Sequence, residues 1–144
     1  MKKAALLIVI VFSLYGLLEK NPDFIQSYSE QGASDDSALT NAFKNRKSNL
    51  QVSGSGIVIH NLADDTDGSR HQKFILKLSS GQTLLISHNI DLAPRISSLR
   101  KGDTVNFYGE YEWSPKGGVV HWTHHDPGGK HENGWLKHNG VTYQ

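Results

Sequence analysis

Cysteine is absent from the 144 residues. Its absence excludes disulfides, iron–sulfur clusters, thiolate zinc sites, a cysteine nucleophile and a lipid-modified cysteine at a cleavage site. A basic excess is lacking too, because 15 Lys and Arg face 14 Asp and Glu for a formal net charge of +1. Without Lys2 and Lys3, 13 basic residues would face 14 acidic ones. Non-specific nucleic-acid binders carry a clear positive surplus, so nucleic acid is not the expected partner. Long apolar runs are also missing. The stretch from Ala4 to Leu18 is about 15 residues, short of a comfortable membrane span.

What is present reads as one exported domain. Hydrophobic residues at 37% and charged residues at 20% give an ordinary globular balance, and the length supports one core. Lys2 and Lys3 ahead of the apolar stretch fit a secretory leader. No clean small-x-small cleavage site follows, so an uncleaved anchor through residues 4–18 is the alternative. The expected organisation is a signal peptide or anchor over 1–20, a linker over 21–35, and a domain over 36–144 with a His-rich C-terminal extension. The expected location is periplasmic or secreted, with membrane contact only through the N-terminal segment if it is retained.

Within the domain, Asp35 or Asp36 can cap a short helix with Leu39, Ala42 and Phe43 on one side. From Leu50 the period changes to two. Val52, Gly54, Gly56 and Val58 share one strand face, and glycines inside a strand mark a bend or a close backbone approach. Phe74, Leu76 and Leu78 mark a second strand, and Thr83 to His88 a third. Asn89 or Asp91 can cap a helix over Leu92 to Leu99, with Pro94 in its first turn. Thr104 to Trp113 forms a fourth strand, with Val105, Phe107, Tyr111 and Trp113 on one face and Asn106, Tyr108, Glu110 and Glu112 on the other. Val119 to His124 forms a fifth. Three strands, a helix and two strands is the order of the OB-fold, a small five-stranded Greek-key barrel. The Asn139-Gly140 pair predicts a C-terminal hairpin of Trp135 to His138 and Val141 to Tyr143.

Chemistry concentrates in the histidines, eight in all. His121, Trp122, Thr123, His124, His125 and Asp126 are consecutive, and His131 follows closely. Imidazole and carboxylate are good ligands for zinc and other divalent transition metals. On a continuing strand His121 and His125 share a side, so the expected ligand set is His121, His125, His131 and Asp126, with His88 as a distant further donor. His131-Glu132 begins like a His-Glu-x-x-His motif, but the next histidine is His138 and the i, i+4 spacing fails.

The loop bearing Asp64, Asp65 and Asp67, with Arg70 and His71 beside it, is a second candidate for a hard cation or a phosphate. It lacks the spacing and final glutamate of an EF-hand loop. Arg70, His71, His88, His124 and Tyr108 complete the expected ligand-contacting residues, Tyr108 as a surface aromatic able to stack on a base or sugar.

These motifs also carry a resemblance. Ser69-Arg70-His71-Gln72, His88-Asn89-Ile90-Asp91-Leu92-Ala93-Pro94-Arg95, Gly109-Glu110-Tyr111-Glu112-Trp113 and His121-Trp122-Thr123-His124-His125 resemble a bacterial family of small proteins of unknown function, DUF3465. The likeness runs from about Leu39 to the C-terminus and implies a family without an activity. A fainter similarity links Ile86 to Pro94 with the Gly-Ile-Asp-Ala-Pro segment of staphylococcal-nuclease-like barrels, whose second arginine and glutamate base have no counterpart placed here. The expected function is a non-catalytic binding module of the bacterial envelope, taking a small molecule, an oligosaccharide or another envelope component. The alternative is a metal-dependent hydrolase, phosphodiesterase-like, using the histidine cluster with Arg70 stabilising negative charge.

Overall fold

Alternation of apolar and polar side chains builds the architecture. The structure is a computed structural model that describes Gly32 and residues 35–144. The expected leader (1–20) and all but Gly32 and Asp35 of the expected linker lie outside the described residues.

Residues 35–44 are helical (α1), and Leu39 and Ala42 are buried. The Phe43 ring stacks on Trp113 at 6.4 Å, and Trp113 Nε1 donates to the Phe43 carbonyl at 3.1 Å. At the other end of α1, the Asp36 carboxylate accepts the Ser80 N–H at 3.1 Å and the Ser79 hydroxyl.

Strand β1 (Leu50–Asn61) serves two neighbours. Its first part pairs with β4 (Thr104–Glu112), from Leu50↔Tyr111 to Ile57↔Thr104. From Ile57 the strand also pairs with β2 (His71–Lys77), first as Ile57↔Lys77 and Val58↔Leu76 and, after a register shift between Val58 and His60, through to Asn61↔Phe74. A Cβ on Gly54 would stand 2.6 Å from the Phe107 ring, so this is the close approach that a strand glycine permits. β2 pairs antiparallel with β3 (Thr83–Asn89), β3 pairs parallel with β5 (Val119–His121), and β5 pairs antiparallel with β4. The circuit β1-β2-β3-β5-β4-β1 closes a five-stranded Greek-key barrel of the OB type. Val58, Phe74, Leu76, Leu84, Ile86, Val105, Phe107, Tyr111 and Val120 fill its interior.

The segment between β3 and β4 corrects one expectation. Residues 92–99 form turns and no helix. One turn closes where the Ala93 N–H reaches the Asn89 carbonyl at 3.1 Å. Beyond it, side chains from the barrel claim the backbone groups that a helix would have paired. The buried Gln72 amide takes both polar groups of Ile96, accepting its N–H at 2.8 Å and donating to its carbonyl at 2.9 Å. His88 Nε2 takes the Pro94 carbonyl at 3.0 Å, and Asn61 Nδ2 the Leu99 carbonyl at 3.1 Å.

The C-terminal hairpin forms as the sequence predicts. Strands β6 (Trp135–His138) and β7 (Val141–Tyr143) flank Asn139 and Gly140, whose φ angles of 49° and 75° are those of a two-residue hairpin turn. β6 pairs with the first half of β4 through Asn106↔Lys137, Phe107↔Leu136 and Tyr108↔Trp135. One edge of β4 is thus handed from β6 to β5, and the connection between those strands leaves the barrel at the hand-over.

Candidate metal centre

On β4 the core takes Val105, Phe107 and Tyr111, so the intervening Glu110 and Glu112 project from the outer wall. Antiparallel pairing sets Glu110 directly opposite His121 and Glu112 opposite Val119, which leaves His121 diagonal to Glu112. His121 Nε2 lies 3.2 Å from Glu110 Oε2 and 3.5 Å from Glu112 Oε1. One ligand atom from each of the three residues falls within 4.8 Å of the others. Donors bound to a tetrahedral zinc at 2.0–2.1 Å stand about 3.3 Å apart, so both measured separations match the edges of such a polyhedron. His121 Nε2 is sealed from solvent, and among the described residues these two carboxylates are its polar neighbours.

The β5–β6 loop covers this wall. Strand β5 stops at His121 because Trp122 adopts φ +55°, a left-handed conformation unusual for a bulky residue. The turn ends the expected alternation of His121, Thr123 and His125. Thr123 is fully buried and His125 is exposed. The Trp122 indole stacks on the His131 ring at 4.0 Å with 7° between planes, and His124 lies tilted at 5.3 Å. His131 Nδ1 donates to the Glu132 carbonyl at 2.8 Å, which leaves Nε2 as the basic nitrogen of the neutral ring. That Nε2 lies 3.5 Å from the same Glu110 oxygen that His121 approaches.

Two glycines let the loop close. A Cβ on Gly109 would stand 2.4 Å from the His121 carbonyl, and one on Gly134 would stand 1.9 Å from the Trp122 carbonyl. Asp126 organises the loop interior by accepting the N–H groups of Gly128, Lys130 and His131 at 2.9, 2.8 and 2.8 Å. These bonds, led by the one from His131, hold its carboxyl below the usual range.

The remaining candidates from the sequence have other partners. His88 is buried; its Nε2–H donates to the Pro94 carbonyl, and its Nδ1 accepts from the Thr123 hydroxyl at 2.8 Å. Burial pushes its pKa down to about 4. His124 Nδ1 bonds the His125 carbonyl at 2.7 Å, and His71 Nδ1 bonds the Ser69 carbonyl at 2.8 Å. Arg70 pairs with Asp91 at 2.7 Å. In the acidic loop, Asp64 binds Arg95 at 2.9 Å and Asp65 binds Lys73 at 3.1 Å. Hydrogen bonds, from Arg95 to Asp64 and chiefly from the Asp67 N–H to Asp65, lower both acids. Tyr108 donates to the Glu132 carboxylate, which raises the phenol's pKa, and its ring packs against Trp135 at 6.0 Å.

The structure therefore brings His121 and His131 to the same Glu110 oxygen, leaves His125 and the Asp126 carboxylate outside the converging trio, and adds Glu110 and Glu112. The sequence puts the two glutamates on the polar face of β4, but nothing in it ties them to the histidines. The register was the missing signal. Pairing β4 and β5 about the Ser114–Gly118 turn sets 112 against 119 and 110 against 121.

Fold and site together define a small closed β-barrel with a polar ligand group on its outer wall. Residues 23–144 match the family described as "Protein of unknown function (DUF3465)", and the chain belongs to that family. No curated protein matches the chain.

Proposed function

We propose that this chain is an exported binding module whose ligand is a divalent transition-metal ion, held on the barrel wall by Glu110, Glu112 and His121. One observation carries the reading: a ligand atom from each of Glu110, Glu112 and His121 lies within 4.8 Å of the other two, with His121 Nε2 at 3.2 and 3.5 Å from the two carboxylates. Two carboxylates and an imidazole drawn this close repel one another less when a cation, a bound metal or the ring's own proton, sits between them. A mixed imidazole and carboxylate set suits zinc and its neighbours, whereas calcium and magnesium favour six or more oxygen donors. Export rests on Lys2, Lys3 and the apolar residues that follow.

Charge favours a cation binder over the phosphodiesterase alternative. Glu110 and Glu112 repel a phosphodiester, and Arg70 is engaged by Asp91. The test is the metal content of the purified full chain, by elemental mass spectrometry after incubation with zinc and desalting. The expected result is close to one equivalent, lost in Glu110→Gln and His121→Ala. Absence of metal from the folded wild-type chain would overturn the reading.

A further inference from the structure

The three wall ligands are fixed by strand register, but His131 arrives on a loop. We infer that the β5–β6 loop is a latch: His131 Nε2 supplies a fourth ligand and closes the metal site to water. The inference rests on the metal reading above and specifies how that site is completed.

Four observations support it. His131 Nε2 stands 3.5 Å from Glu110 Oε2, a third separation close to a tetrahedral edge; it lies outside the trio whose ligand atoms are all within 4.8 Å, so the ring must move towards the trio to share an ion with it. Its other nitrogen already donates to a backbone carbonyl, the second-shell bond that fixes a ligating histidine's tautomer. The ring's plane is set by its stack on Trp122, held in turn by the left-handed backbone that ends β5. Its backbone is set by Asp126, which takes the His131 N–H at 2.8 Å. The sequence between Trp122 and His131 thus positions one imidazole over the wall.

The functional consequence follows from coordination number. Closed four-ligand sites hold an ion, whereas catalytic sites keep one position for water. With His131 latched, the site takes up and retains zinc-like ions. With the loop displaced, three ligands remain and the ion exchanges.

The test uses the full chain loaded with Co(II) as a spectroscopic probe and with Zn(II) for affinity, comparing wild type, His131→Ala and the bulkier His131→Gln. Far-UV circular dichroism checks the fold of each. The expected wild-type Co(II) complex has the intense visible bands of four-coordinate geometry. Both variants lose that intensity, bind zinc roughly a hundred-fold more weakly, and release it faster to a chelator. If wild type binds metal and both variants match it in spectrum and affinity, the latch is overturned while the wall site stands. If the folded wild type binds neither ion, the metal reading itself fails and the latch with it.

Discussion

The Thr123 hydroxyl donates to His88 Nδ1 at 2.8 Å, and this bond ties β3 to the residue that follows Trp122. Because the Pro94 carbonyl can only accept, the proton of the neutral ring sits on Nε2, and Nδ1 is free to receive the hydroxyl hydrogen. A protonated His88 would lose that acceptor. The pair is therefore built for the neutral imidazole, in agreement with its burial.

Acid should reveal this residue. His88 ionises near 6.5 when unfolded and at about 4 when folded, so between these values the unfolded state binds more protons. Its contribution is constant above about pH 6.5, is lost progressively as pH falls, and levels off below about 4. The loss amounts to about 3 kcal/mol. Urea unfolding at stepped pH in the presence of a chelator should show this slope, and His88→Gln should flatten it.

Thr123→Val keeps the volume but leaves His88 Nδ1 buried without a donor. The expected cost is about 2 kcal/mol, while Thr123→Ser, which keeps the hydroxyl, costs clearly less. Denaturant midpoints at neutral pH distinguish the two. Equal losses would show that the methyl group, and not the hydrogen bond, matters here.

Gly134→Ala should be among the most damaging single-methyl additions. The added carbon would meet the Trp122 carbonyl at 1.9 Å and the Tyr108 carbonyl at 2.5 Å, both backbone atoms. A loss of about 3 kcal/mol is expected, with weakened metal binding because the loop is pushed from the wall. Gly129→Ala has open space around its Cβ, and its cost is the smaller one of a positive φ. Thermal denaturation of both variants, read side by side, checks the ranking.

Zinc should raise the melting temperature, because an ion that binds only the folded chain adds about 2.7 kcal/mol at a hundred times its Kd. Glu112→Gln should lose most of that increment. His125→Ala should keep it, since His125 lies outside the converging group. The reverse pattern, with His125 essential and Glu112 dispensable, would move the site to the tip of the loop.

Asp126→Ala addresses the loop directly. The carboxylate accepts three N–H groups and is not a member of the wall trio, so its loss should weaken binding without changing the one-ion stoichiometry. Calorimetric titration with zinc separates affinity from stoichiometry.

Alternating patterns made the barrel readable. Phe74 and Leu76, or Val105, Phe107 and Tyr111, declare a buried face through period two alone, and Asn139-Gly140 declares a hairpin through local backbone preference. The helix expected at 92–99 did not form because its signals were local and weaker than distant competitors. A cap and a tolerated proline cannot outweigh Gln72 and His88 taking the backbone groups of Ile96 and Pro94 from another strand.

The sequence by itself determined which side chains face the core, where the chain turns, and which residue types could bind a metal. Those properties depend on neighbours within a few positions. Only the tertiary structure decided which of those residues meet. Glu110 reaches His121 through strand register, and His131 reaches Glu110 because Trp122 breaks β5 and stacks beneath it. His125, adjacent in sequence to the rest of the motif, is left exposed by the same break, because one left-handed residue re-aims every side chain that follows it.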